Sequence, residues 1–144
     1  MISKEAAIRR FVKNYEIEVP QPLVEEEYKF CVMNMKHQMR YAEMTGTAQM
    51  NPIEQMKAMK VMEEKLKEEA YYNVKEELVI KDVIHKQDFV VTREELEQHA
   101  REIAERQDSE MEMVKKFFGE DFKMLESDVK RQKAENWIYE QMSE

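Results

Sequence analysis

The sequence predicts an all-α fold, and three observations support this prediction. The chain has 144 residues but only 2 glycines and 3 prolines, so residues that mark turns are few. Charged residues make up 38% of the chain and hydrophobic residues 42%, a mixture typical of amphipathic helices with one solvated face. Over long stretches the hydrophobic residues recur at intervals of three and four, which places them on one helix face. The length predicts a single domain over residues 1–144.

The first predicted helix covers residues 3–14, with Ser3 as its candidate N-cap. The sequence that follows, EIEVPQP, alternates acidic and apolar residues and then places Pro20 and Pro22 where a helix cannot continue. We expect an extended joint there, which turns the first helix onto the next while its apolar side chains stay buried.

A hairpin of two long helices is predicted next, over about residues 23–86. Its first helix starts near Leu23 and ends at Gly46, because glycine tolerates the left-handed conformation of a helix end. Asn51 and Pro52 begin the second helix, which is then free of glycine and proline. A helix of roughly 35 residues is about 50 Å long, whereas a compact chain of this length has a radius of gyration of about 15 Å. We therefore expect an elongated helical body with this hairpin as a protruding arm.

In the second half of the chain, two helix starts have the capping-box signature, in which serine or threonine is followed three residues later by glutamate. These pairs are Thr92 with Glu95 and Ser109 with Glu112. Gly119 is expected to end the second of these helices, and a final helix that includes Phe122 is expected to reach the C-terminal region.

The two joints between helices form an internal repeat at an offset of 72 residues (80 minus 8). Seven positions match in residue type or in their place at the joint. They are Ile8, Phe11, Val12, Ile17, Val19, Pro20 and Val24, which pair with Ile80, Val83, Ile84, Phe89, Val91, Thr92 and Leu96. Each half therefore reads as a helix, a short extended joint and a second helix.

The residues that could perform catalysis do not form a recognisable site. His37, His85 and His99 are far apart in the sequence, and none has the spacing of a metal-ligand motif, so we interpret them as solvated or capping residues. Cys31 lies on an apolar helix stripe, where a buried structural thiol is expected. The sequence has no glycine-rich phosphate loop. We predict no enzymatic activity, no cofactor and no metal.

The charge of the chain restricts its partners. A formal net charge of -8 argues against nucleic acid and against an anionic membrane, since both require a basic surface. The N-terminal sequence has no signal-peptide pattern, and no apolar run approaches 18 residues. We expect a cytoplasmic protein whose partners are polypeptides.

Methionine is the informative excess in the composition. The chain has 13 methionines, and eight of them lie between residues 33 and 62: Met33, Met35, Met39, Met44, Met50, Met56, Met59 and Met62. Methionine at helical spacing often fills a core, but Met33 and Met35 cannot share one face of a helix. On a protruding hairpin, part of this cluster would be exposed, and such flexible side chains suit the binding of varied apolar partners. Three aromatic residues form a second candidate patch, for which core packing is the preferred interpretation: Phe117, Phe118 and Phe122.

Three stretches of the sequence together resemble one protein family. They are FVKNYEIEVPQPLVEEE, EEAYYNVKEELVIKDVIHKQDFVVTREELEQHAREIAERQ and the terminal VKRQKAENWIYEQ. In order and spacing they are similar to the C-terminal domain of bacterial trigger factor. The resemblance covers nearly the whole chain, and it implies an all-helical body with protruding arms that binds unfolded chains, here called clients. It does not extend to the ribosome-docking and prolyl isomerase domains of the family, so it implies neither of those activities.

Two functional hypotheses follow from the sequence. The leading one is an ATP-independent chaperone that holds exposed apolar segments of unfolded or nascent polypeptides. The alternative is a structural module whose apolar faces are buried in a homodimer or against a dedicated protein partner. The candidate client-binding residues were chosen from this sequence, not from a family motif: Met33, Met35, Met39, Met44, Met56, Met59, Met62, Phe117, Phe118 and Phe122.

Overall fold

The computed structural model describes residues 2–46 and 51–142, and over these ranges the chain forms six α-helices and no strand. The predicted all-α class is confirmed. The helices are α1 (Lys4–Asn14), α2 (Gln21–Met44), α3 (Pro52–Gln87), α4 (Arg93–Arg106), α5 (Met111–Phe118) and α6 (Glu126–Met142). A short 3-10 turn, Lys123–Leu125, leads directly into α6.

The helices belong to two compact units. The hairpin unit consists of Tyr15–Leu78, and the composite unit combines Met1–Asn14 with Val79–Glu144. The boundary falls inside α3, so the N-terminal part of this helix belongs to the hairpin unit and its end to the composite unit.

The composite unit has an apolar core. One cluster in it combines buried residues of α4, α5, α6 and the segment between α5 and α6: Leu96, Ala100, Ala104, Val114, Phe122, Leu125 and Val129. The N-terminal helix α1 packs against α6, where the rings of Phe11 and Trp137 meet edge to face with their centroids 6.0 Å apart. Lys4 Nζ also donates a hydrogen bond to Asn136 Oδ1 at 2.6 Å. These contacts join the two ends of the described chain in one unit.

In the hairpin unit, α2 and α3 lie side by side. Asn73 Nδ2 on α3 donates a hydrogen bond to Glu27 Oε2 on α2 at 3.3 Å. Further along α2, Met39 lines the same groove as Met59 of α3. Along the hairpin, residue numbers on α3 therefore decrease as those on α2 increase, which means that the two helices run antiparallel.

The helix starts follow the predicted repeat. The N-cap of α2 is Pro20, and the N-cap of α4 is Thr92, which is 72 residues later (92 minus 20). At Thr92 the predicted capping box is present. Thr92 Oγ1 accepts a hydrogen bond from the Glu95 N–H at 3.2 Å, and Glu95 Oε1 accepts one from the Thr92 N–H at 3.2 Å. The N–H groups of Thr92 and Glu95, which have no backbone partner within the helix, are thereby both hydrogen-bonded.

The same glutamate connects the start of α4 to α6. Lys133 Nζ on α6 donates to Glu95 Oε2 at 2.6 Å and to the Val90 carbonyl at 2.6 Å. The hydrogen bond from Lys133, followed by that from the Thr92 backbone, lowers the pKa of Glu95 below its ordinary value of 4.5. Glu95 is therefore ionised at neutral pH, and its negative charge strengthens the hydrogen bonds that it accepts.

The second predicted capping box does not form, and the reason is the end of α4. Asp108 adopts a left-handed conformation (φ 51°), and the Ser109 N–H donates to the Ala104 carbonyl at 2.9 Å. Together with the bond from the Asp108 N–H to the Glu105 carbonyl, this is a Schellman motif. Because Ser109 closes α4, the N-cap of α5 is Glu110, without a side-chain cap.

The different roles of these two hydroxyl residues can be measured. Replacing Thr92 by alanine is expected to destabilise the composite unit by about 1 kcal/mol, because an N-cap acceptor is lost. Ser109→Ala is the matched control and is expected to change stability by less than about 0.5 kcal/mol. Urea unfolding followed by the fluorescence of Trp137, the single tryptophan of the chain, reports on this unit. An equal loss in both variants would contradict the assignment of the caps.

Candidate functional site

A groove lined by methionines lies between the two helices of the hairpin unit. It has a volume of about 320 Å³. We call it the methionine groove, and its apolar walls are Met35, Met39 and Ala42 of α2 with Ala58, Met59 and Met62 of α3. Residues 35, 39 and 42 are four and three apart, and residue 62 is four residues from 58 and three from 59, so each set shares one face of its helix. The side chains of Gln38, Glu43 and Gln55 complete its lining.

The candidate methionines are open to solvent to different degrees. Met33, Met44, Met56 and Met62 are exposed, with Met44 the most open at 81%. Met35, Met39 and Met59 are half-buried. Two helices alone cannot enclose side chains of this length, so the groove remains accessible along one side. Met50 lies outside the described residues.

Four of the seven candidate methionines line the groove, and three do not. Met33, Met44 and Met56 are exposed but are not part of its lining. For the α2 residues this follows from helix periodicity, because Met33 lies two residues from Met35 and so points to another side. The structure thus divides the sequence-predicted cluster into groove methionines and outward methionines.

A second apolar groove belongs to the composite unit, between α4 and α5. It has a volume of about 290 Å³, and we call it the phenylalanine groove. Its apolar walls are Ile103, Met113, Val114, Phe117 and Phe118. Phe117 is 75% exposed and its ring packs edge to face on that of Phe118, at a centroid distance of 4.8 Å. Both phenylalanines are accessible from this groove.

The third member of the predicted aromatic patch is buried, which agrees with core packing for this residue and not with a place on an exposed patch. Phe122 is 2% exposed and belongs to the core of the composite unit. The helix ends at Gly119, and Phe122 itself adopts a left-handed conformation (φ 57°) before the 3-10 turn. This reversal turns the ring into the core. A bulky residue tolerates such a backbone only when burial outweighs the strain.

The interpretation of the histidines is also corrected at one position. His37 and His85 are exposed, but His99 is 7% exposed on the buried side of α4. Its Nδ1 lies 3.9 Å from Glu102 Oε2, beyond hydrogen-bond distance, and has no hydrogen-bond partner among the described residues. His99 is thus neither solvated nor a cap.

Cys31 is half-buried on α2, and its surroundings disfavour a reactive thiolate. Partial burial, followed by the nearby carboxylates of Glu27 and Glu69, raises the pKa of its thiol above the ordinary value of 9.0. The thiol is therefore protonated at neutral pH, whereas a nucleophile requires the thiolate.

Two other kinds of site are absent from the described part of the chain. Residues 2–46 and 51–142 contain no group of three or more histidine, cysteine or acidic side chains arranged to hold a metal ion. Across the same ranges, no helix has the length and apolar character needed to cross a membrane. The methionine groove and the phenylalanine groove are the candidate sites that contain sequence-predicted residues.

A family model described as the C-terminus of bacterial trigger factor protein matches residues 2–140. The chain belongs to the trigger factor C-terminal family. This confirms the family that the sequence resembles. The match covers both units and both grooves.

Curated relatives named trigger factor are similar over most of the chain. The protein from Carboxydothermus hydrogenoformans is 27% identical over 133 residues, which cover 92% of this chain and 31% of the relative. Those from Caldicellulosiruptor saccharolyticus and Caldicellulosiruptor bescii are 24% and 23% identical, each over 94% of this chain and 31% of the relative. The chain thus spans about a third of the length of these relatives. No solved structure matches it significantly.

Proposed function

We propose that the chain is an ATP-independent chaperone of the holdase type, which binds exposed apolar segments of unfolded or nascent polypeptides. The observation that supports this most directly is the methionine groove, an apolar surface that its own unit leaves open. Membership of the trigger factor C-terminal family supports the same function. The proposal includes a cytoplasmic location, where such clients are synthesised.

The chemistry of the groove suits clients of varied sequence. Methionine side chains are unbranched and polarizable, so they can repack around differently shaped apolar groups. The phenylalanine groove offers a second apolar surface with a more rigid aromatic wall. We propose that both grooves bind clients and that the methionine groove accepts the wider range of side chains.

Release without a nucleotide requires weak binding. Covering about 400 to 600 Å² of apolar surface is worth roughly 10 to 15 kcal/mol before costs, and most of this is lost in ordering and association. The remaining affinity is expected to be about micromolar, with exchange fast enough for a client to fold between binding events. The only glycines, Gly46 and Gly119, do not form a phosphate-binding loop, which supports a mechanism without ATP.

The proposal is tested by light scattering from insulin reduced with dithiothreitol, whose free B chain aggregates. We expect scattering to fall as the chain is added up to about equimolar amounts, with no nucleotide present. An unrelated acidic helical protein at the same concentration serves as the control. Undiminished scattering in the presence of folded, helical protein would contradict the proposed function.

The alternative hypothesis, a structural module that forms a homodimer, makes a different prediction. An obligate dimer would remain associated on dilution and would bury the apolar grooves. Sedimentation velocity over a hundredfold concentration range, together with binding of an apolar dye, separates the two hypotheses. A dissociating or monomeric chain that binds the dye agrees with the holdase, and a persistent dimer that does not bind it supports the alternative.

A further inference from the structure

The methionine-rich end of the hairpin unit has a charge opposite to that of the whole chain. We call residues 29–46 and 51–62, as far as the structure describes them, the distal hairpin. Its basic residues are Lys29, Lys36, Arg40, Lys57 and Lys60, and its acidic residues are Glu43 and Glu54. The net charge of this segment is therefore +3 (5 minus 2), whereas the whole chain has -8 and the remainder has -11. A cationic segment in so acidic a protein requires an explanation.

On α2 the basic residues border a second apolar stripe, on a different side from the methionine groove. This stripe consists of Phe30, Met33, Tyr41 and Met44, which are all at least half exposed. The basic residues are Lys29, Lys36 and Arg40, seven and four residues apart, and all three are exposed. Their spacing places them along one edge of the stripe.

On α3 the pattern recurs. Ile53 and Val61 are exposed at 66% and 75%, and the exposed Lys57 and Lys60 lie between them in the sequence. None of the five basic residues of the distal hairpin forms an ion pair within residues 2–46 and 51–142. By contrast Lys67, just beyond this segment on α3, pairs with Glu63 at 3.4 Å. The distal hairpin thus presents apolar anchors beside positive charges that form no ion pair with any side chain in the described part of the chain.

We propose that the distal hairpin selects client segments in which acidic side chains accompany the apolar anchors. This rests on the proposed holdase function and specifies the chemistry of its substrate. The apolar residues of the client cover the exposed methionines and aromatic rings, and its carboxylates pair with the lysines and Arg40. Such charge complementarity raises the association rate and the discrimination between segments more than it raises raw affinity.

Two other occupants fit the charge pattern less well. A symmetric dimer through this surface would bring the same patch of each copy together, so that positive charges face positive charges. An anionic membrane is an extended surface, and it would repel the remaining chain, whose net charge is -11. A peptide segment senses only charges within about 8 Å at physiological salt, and those of the distal hairpin attract it.

The test uses three fluorescent peptides with the same apolar residues and with glutamate, glutamine or lysine at the intervening positions. Anisotropy is measured with the full chain at low salt and at 0.5 M sodium chloride. We expect the glutamate peptide to bind about three- to tenfold tighter than the glutamine peptide, and the lysine peptide to bind most weakly. The preference should shrink at high salt.

A charge variant and its matched control localise the effect. In the variant, Lys36, Arg40 and Lys57 are replaced by glutamine, and it should lose the preference for glutamate while it still binds the glutamine peptide. The control replaces three exposed basic residues of the composite unit that lie outside both grooves, Lys81, Arg101 and Lys123, and so changes the net charge equally. The control should keep the preference.

The failure of this inference differs from the failure of the proposed function. Equal binding of the glutamate and glutamine peptides would overturn the charge selection and leave the holdase intact. No binding of any peptide would overturn both. If phosphatidylglycerol vesicles bind the chain and the glutamate peptide does not, or if the variant alters only self-association in sedimentation, the occupant is a membrane or a second copy and the inference is wrong.

Discussion

Replacing the four groove methionines together by glutamine is expected to abolish most of the suppression of client aggregation. The residues are Met35, Met39, Met59 and Met62. Glutamine has a similar length and a similar helix propensity, so the helices should persist while the groove becomes polar. At about 1 kcal/mol for each partly covered side chain, client affinity should fall by two to three orders of magnitude. Scattering of reduced insulin and circular dichroism of the variant measure the two effects.

Two further variants show whether the groove or apolarity in general is responsible. Replacing the outward methionines Met33, Met44 and Met56 by glutamine should weaken suppression less, because they lie outside the groove lining. Met124→Gln alters an exposed methionine of the composite unit that lines neither groove, and it should have no effect. Loss of helicity in the fourfold variant would show instead that the groove methionines stabilise the hairpin unit.

The start of a helix was predictable from its capping motif where the groups of that motif were not used by a neighbouring helix. The capping box at Thr92 formed as predicted, and the Thr92 N–H donates to the Glu95 side chain within it. Ser109 has the same signature three residues before a glutamate, yet its N–H is used to close the preceding helix. The difference depends on Asp108, which adopts a left-handed conformation two residues beyond the end of α4. Such competition between adjacent helix ends is not visible in a single four-residue motif.

The positions of individual side chains depended on features that a periodic pattern does not contain. Phe117 and Phe118 remain in α5, but the chain reverses after Gly119 and buries Phe122. His99 shares the buried side of α4 with Leu96 and Ala100, three residues before it and one after it. That spacing was present in the sequence, so the burial of His99 could have been predicted from the apolar stripe of its helix.

The sequence predicted which part of the chain contains the candidate site, but not which of its methionines line the groove. Helix periodicity separates Met33 from Met35, and the excess of methionine marks the hairpin. Which methionines face the partner helix depends on how α2 and α3 are rotated against each other. This rotation follows from contacts far apart in sequence, such as that between Glu27 and Asn73. A single sequence read along one helix does not provide it.

Leu125→Ala is expected to destabilise the composite unit by about 2–5 kcal/mol, the largest effect on stability that we predict. Leu125 is 0% exposed and belongs to the same cluster as Phe122 and Val129. Removing its side chain loses the free energy of burial and leaves a cavity, because neighbouring helices relax only in part. Phe122 lies three residues before Leu125, and its left-handed backbone is tolerated because its ring is buried in the same cluster. Loosening this cluster also weakens that compensation, so we expect the loss to lie in the upper part of this range.

The measurement is urea unfolding with Trp137 fluorescence as the probe of the composite unit, because Trp137 packs on Phe11 there. The adjacent Met124 is 66% exposed, so Met124→Ala is a matched control and should change stability by less than about 0.5 kcal/mol. A loss below about 1 kcal/mol in the Leu125 variant would mean that the cluster repacks around the cavity. The turn between α5 and α6 would then be held by its backbone hydrogen bonds, such as that from the Leu125 N–H to the Phe122 carbonyl at 2.9 Å.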